Sequence, residues 1–233
     1  MEAEAGEPRQ IPNPRRVLAW AILIGLIAVV NYASRFSGGG HGGRGGADKE
    51  LYSFSSFAGG TIVYAIWLGV VLLICVDRFD LLAFRRARSW SGALGSAVAV
   101  VVAIFAWEYV TSFIPLPESP GKEQGITNVA WEPRHAAAFA ANFVLFAAIA
   151  PFVEELTFRG AGQSLLRFLG RWPSIVLVGV AFGLAHGLVE ALLVLVPFGM
   201  ALAWLRDRTE SAVPGMFVHA LFNGAALAYV VVR

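Results

Sequence analysis

The sequence predicts an all-α fold, a polytopic transmembrane bundle of about seven helices. Three observations carry this reading. The 233-residue chain is 57% hydrophobic and only 15% charged, whereas soluble domains hold about 25% charged residues. Its mean hydropathy is +0.65. Its apolar residues gather into long runs between short polar or basic stretches, without the alternation that a membrane barrel requires. A net charge of +2 gives no argument for a nucleic-acid partner; the partners implied are membrane lipids.

Crossing about 30 Å of hydrocarbon at ~1.5 Å per residue takes about 20 residues. Seven segments approach that length: 16–33, 57–76, 91–113, 136–156, 173–188, 190–205 and 213–232. The first follows Arg15-Arg16, as an uncleaved signal anchor does. The acidic start Met1–Glu7 is a poor signal-peptide n-region, and Tyr32-Ala33-Ser34 is a weak cleavage site. The second carries Cys75, the single cysteine, read as a buried, inert thiol that can form no intrachain disulfide. Arg78–Trp90, basic and aromatic, reads as an interfacial segment against anionic lipid. The third holds Glu108 between Trp107 and Tyr109, which marks an outer interface.

The fourth contains Pro151. Its missing N–H favours a kink just before two glutamates. Helical spacing continues past this span through Phe158, Leu165, Leu166 and Leu169. Asn142 in it can bond across helices. Pro173 suits the first turn of the fifth helix, where Gly179, Gly183 and Gly187 form a small-residue ladder that lets backbones approach. Gly187–Glu190 alone separates the fifth and sixth spans, which predicts a tight hairpin. Glycine-rich Ser37–Ala47, with an idle His41, reads as a flexible loop, and Pro115–Pro133 as an irregular one. With the N-terminus in the cytoplasm, the inside segments hold about twice as many Lys and Arg as the outside ones. The chain divides into a tail (1–15), accessory helices and loops (16–135) and a core (136–233).

Polar residues inside the apolar runs carry the chemistry. An ionisable group at mid-bilayer costs roughly 2.5–3.5 kcal/mol on insertion scales, so Glu154, Glu155 and Arg159 are expensive to keep. Arg159 lies four residues after Glu155, on the same helix face, and is placed to pair with it. Glu154 is left without a cation on its own helix and is the candidate base. Phe182 and His186 share a face of the fifth span, so the ring can fix the imidazole. His219 and Asn223 share a face of the seventh; both can donate to a developing oxyanion. Taken singly, each pair has a structural explanation: an interfacial ion pair, a packed histidine, interhelical hydrogen bonds. Together they form a set suited to peptide hydrolysis: a carboxylate and an imidazole to take a proton from water, an imidazole and an amide to hold the oxyanion.

The run Ala150-Pro151-Phe152-Val153-Glu154-Glu155-Leu156-Thr157-Phe158-Arg159-Gly160 resembles the E-E-x-x-x-R motif of the CAAX prenyl protease and bacteriocin-processing family of intramembrane proteases. Phe182 to His186 is similar to its F-x-x-x-H motif, and His219 to Asn223 to its H-x-x-x-N motif. The resemblance spans roughly residues 136–232. It implies a polytopic helical peptidase in which Glu154 and His186 activate water, His219 and Asn223 steady the oxyanion, and Glu155, Arg159 and Phe182 support them. Its substrate would be a membrane protein or a lipidated peptide. The family is often labelled metallopeptidase. No H-E-x-x-H helix is present, and no cofactor is favoured; zinc, if held, would take His186, His219 and Glu154 by ligand type. Two other readings compete: a non-catalytic membrane scaffold or immunity protein, and a proton-coupled carrier, against which the lack of an evident inverted repeat counts. The high ratio of Arg to Lys, with abundant Ala and Gly, points to a prokaryotic plasma membrane.

Overall fold

The computed structural model describes residues 13–36, 50–114 and 131–232. The glycine-rich stretch with His41, most of the 115–133 loop and the acidic N-terminal residues lie outside the described residues. Seven long helices follow in chain order: α1 (Pro14–Phe36), α2 (Phe54–Ile74), α3 (Trp90–Thr111), α4 (residues 136–166), α5 (Arg171–Ala185), α6 (Leu192–Thr209) and α7 (Val213–Val232). No strand occurs among the described residues.

Four segments are long and apolar enough to cross a membrane: Pro14–Ser34, Phe54–Ile74, Trp90–Thr111 and Pro133–Leu169. α1, α2 and α3 turn stripes outward at helical spacing, among them Leu18, Ile22, Leu26 and Val29, then Ile62 and Ile66, then Leu94, Val98, Val102 and Phe105. Water would penalise such stripes and lipid would not. Trp20 and Ile24, on the other side of α1, are buried. α5 differs from the expected fifth crossing. It has 15 residues and rises about 22 Å, too short to span the hydrocarbon unaided.

α4 is the spine of the molecule, and it is not a regular α-helix. Residues Leu145–Ile149 and Leu156–Gly162 wind as π-helix, with i→i+5 hydrogen bonds and a wider turn. Pro151 follows the first of these turns, so its missing N–H coincides with a widened turn of the helix. All residues from Val153 to Gln163 are buried.

α5 and α6 form the expected hairpin. A Cβ on Gly179 would lie 2.8 Å from the backbone nitrogen of Met200, so the two helices meet backbone to backbone. Gly187 serves a different contact. It follows α5 with φ +67°, and a Cβ there would come 2.7 Å from Asn31 Cβ. α1 thereby reaches both α4 and α5: Trp20 Nε1 donates to the Thr157 carbonyl at 2.9 Å, and Asn31 Nδ2 to the Ala185 carbonyl at 2.6 Å. Asn142 bonds beyond its own helix, donating to the Leu51 and Ser53 carbonyls at 3.1 and 2.9 Å. Cys75 is buried and free. The Arg78–Trp90 segment forms a 3-10 turn (Phe79–Leu82) and then docks on the α6–α7 connection. There Ala212 N donates to Ala83 O at 2.9 Å, and Arg85 Nε to Glu210 O at 2.8 Å.

Candidate active site

Glu154 and Glu155 are neighbours in the middle of α4, and their side chains go separate ways, as the ~100° step of a helix requires. Glu155 is fully buried and holds two partners on one oxygen. Arg159 Nη1 donates to its Oε1 at 2.7 Å, and His219 Nδ1 lies 3.0 Å from the same atom. Arg159, also fully buried, donates through Nη2 to the Gly199 carbonyl at 3.0 Å. The predicted i, i+4 pair is therefore present, and it ties α4 to α6 and α7 together.

Glu154 points to a different set. Tyr64 Oη donates to its Oε1 at 3.0 Å. Its Oε2 has no hydrogen-bond partner although it is buried. Facing that oxygen are two imidazole nitrogens: His186 Nε2 at 3.9 Å and His219 Nε2 at 3.8 Å. These separations are too long for direct hydrogen bonds and fit groups that share one water. Both tautomers follow from the far side of each ring. His186 Nδ1 is 2.7 Å from the Phe182 carbonyl, which can only accept, so Nδ1 carries the hydrogen. His219 Nδ1 faces the Glu155 carboxylate, which likewise asks for a donor. Each imidazole thus turns its Nε2 toward Glu154.

Phe182 sits at the centre of this group, wholly buried. Its ring centroid is 4.6 Å from that of His186 and 5.5 Å from that of His219, and the Arg159 guanidinium carbon lies 4.3 Å from it. One aromatic ring therefore packs against both imidazoles and the cation, the last a cation–π contact.

Asn223 has a local task. Its Nδ2 donates to the Phe146 carbonyl at 3.0 Å. In the π turn, Ala150 N–H bonds Leu145 O. In the same register the Phe146 carbonyl would look to residue 151, which is proline and has no N–H to give. The amide from α7 supplies the missing donor. One Nδ2 hydrogen is used in this way, and the second remains for another acceptor. This coupling can be measured. Asn223→Ala should destabilise the protein by about 1–3 kcal/mol, the cost of an unsatisfied buried acceptor. In a Pro151→Ala background, whose new N–H serves the carbonyl, it should cost close to nothing. Equal costs in the two backgrounds, measured by reversible unfolding in mixed micelles, would rule the coupling out.

The expected span ended at residue 156, and helical structure continues to residue 166, so Glu154 stands mid-helix. Glu154, His186 and His219 come together from α4, α5 and α7, while Asn223 bonds the Phe146 carbonyl. The sequence reading missed Tyr64, one of two hydroxyl side chains, with Thr61, in the otherwise apolar 57–76 run. It also missed the backbone carbonyls of Phe146, Phe182 and Gly199, which no sequence pattern marks.

Over residues 136–225 the chain matches the family model described as type II CAAX prenyl endopeptidase Rce1-like. The match covers 90 of the 233 residues, and over that segment the chain is similar to this family. No curated protein and no solved structure matches the chain. The Rce1-like segment contains all three motifs and none of α1, α2 or α3. The family is one of proteases, and the apolar helices make this an integral membrane protein. Zinc can be tested against the geometry. Two imidazoles and a carboxylate are the right donor types, but tetrahedral zinc at 2.0–2.2 Å holds its ligand atoms roughly 3.4 Å apart. The Nε2–Oε2 separations of 3.8 and 3.9 Å are wider. Among the described residues no group of three or more His, Cys, Asp or Glu is placed to hold a metal ion. As arranged, the set does not fit a zinc site.

Proposed function

We propose that the protein is an intramembrane endopeptidase that hydrolyses peptide bonds near the C-terminus of membrane-associated or lipidated proteins. The observation that carries this reading is the meeting of the Glu154 carboxylate with Nε2 of His186 and Nε2 of His219, inside a segment of a protease family. Glu154, with His186, takes a proton from water, and the water oxygen bonds to the scissile carbonyl carbon. The carbonyl electron pair moves to oxygen, and the oxyanion is met by His219 and by the second N–H of Asn223. Collapse breaks the C–N bond, and the proton passes to the departing nitrogen, leaving a carboxylic acid and an amine. To donate, His219 must carry a proton on Nε2 as well as on Nδ1. Glu155 balances that imidazolium charge, and Arg159 fixes Glu155.

The chain lies in a prokaryotic plasma membrane with its N-terminus in the cytoplasm and the site open to water. The test is a mass-spectrometric comparison of membrane-protein C-termini in cells expressing wild type or Glu154→Gln. Truncated C-termini should be found with wild type and be missing with the variant, at equal protein levels. Identical C-termini in the two strains would refute peptidase action and favour a scaffold role.

A further inference from the structure

Tyr64 lies on α2, outside the segment that matches the protease family, yet it makes the one direct hydrogen bond to Glu154 among the described residues. Its hydroxyl can be aimed because its ring is held. Tyr64 stacks on Trp67 with centroids 5.6 Å apart and planes 11° from parallel. Trp67 in turn meets the edge of Phe158 at 6.4 Å, and Phe158 lies on α4 one helical turn beyond Glu154. The ring, the indole and α4 thus form a closed brace that returns to the helix bearing the carboxylate.

A glutamate carboxylate turns easily about its last torsion, whose wells are broad and roughly two-fold. Free to turn, Glu154 would offer either oxygen to the imidazoles or swing away from both. With Oε1 occupied by Tyr64, Oε2 is left facing His186 and His219. We propose that Tyr64 is a positioning residue: through its hydroxyl, the accessory part of the chain sets which oxygen of Glu154 faces the two imidazoles, and it keeps that oxygen in line with the shared water. The inference rests on Glu154 acting as the base. It means that the reacting group is aimed from outside the family's motifs.

The test uses the full-length protein in lipid. Tyr64→Phe keeps the stack on Trp67 and deletes only the hydroxyl. The carboxylate stretching band of Glu154 is identified as the infrared signal absent from Glu154→Gln. It should shift in Tyr64→Phe, a change that a loss of packing alone would not produce. Cleavage of the C-termini identified with wild type should slow about 10-fold in Tyr64→Phe, measured at a temperature where the variant is fully folded. Trp67→Phe, which keeps a stacking partner and the hydroxyl, should retain both the band position and the rate. An unshifted band in Tyr64→Phe overturns the proposal, and so does a shifted band with an undiminished rate. If Glu154→Gln itself cleaves normally, the base assignment falls, while the infrared result still decides whether Tyr64 orients the carboxylate.

Discussion

Exchanging Arg159 for methionine should destabilise the protein by about 3–5 kcal/mol, the cost of breaking a buried ion pair from one side. The guanidinium is wholly buried, as is its partner Glu155, so deletion leaves a carboxylate stranded among apolar neighbours. The loss spreads further than one bond, because the same guanidinium reaches the Gly199 carbonyl on α6 and packs against the Phe182 ring. Activity should fall with stability, since Glu155 also holds His219. The double variant Glu155→Gln, Arg159→Met should recover part of the stability, because the orphaned charge is gone, and little of the activity, because His219 has lost its ionic partner. Denaturant unfolding of wild type and the two purified variants in mixed micelles checks this. A single variant as stable as wild type would mean that the pair contributes nothing to the fold.

Glu154→Gln and His186→Ala should each slow cleavage by roughly 10²–10⁴-fold, the range for removing a positioned acid or base, and the double variant should be no slower than the worse single one. On the proposed mechanism both groups address one water, so the second deletion removes help that the first has already made useless. Residues that act as a unit behave in this non-additive way. Fully multiplicative losses would mean that the two side chains act in separate steps. Rates are best compared as initial velocities on a substrate recovered from the C-terminal comparison, with circular dichroism used to confirm that each variant is folded.

The helices were legible because the chain advertises them: long apolar runs, bounded by arginines and by glycine or proline, give seven helices close to their observed limits. The Glu155–Arg159 contact was legible too, because i, i+4 spacing on a helix settles it. Burial was not. Thr157, Arg159, Gly160 and Gln163 lie beyond the expected 136–156 span, yet all four are buried. Some of their polar groups reach backbone carbonyls, the Thr157 hydroxyl that of Val153 and Gln163 Nε2 that of Ala203, while Arg159 Nε and Gln163 Oε1 are buried without a hydrogen-bond partner. Carbonyl acceptors are common to every residue type, so no letter of the sequence marks them. The π turns were hidden for a similar reason. Proline signalled a break in the hydrogen-bond ladder, but not that the helix would widen, nor that an asparagine some seventy residues later would supply the donor.

The two bonds from α1 bear on how the protein is built. Trp20 and Asn31 are made early, and their acceptors lie 137 and 154 residues further along the chain. During synthesis the first span therefore enters the lipid with an indole N–H and an amide still waiting for Thr157 and Ala185, a costly condition in hydrocarbon. Contacts so distant in sequence close late. α1 is thus made before its partners on α4 and α5 and locked only once they arrive.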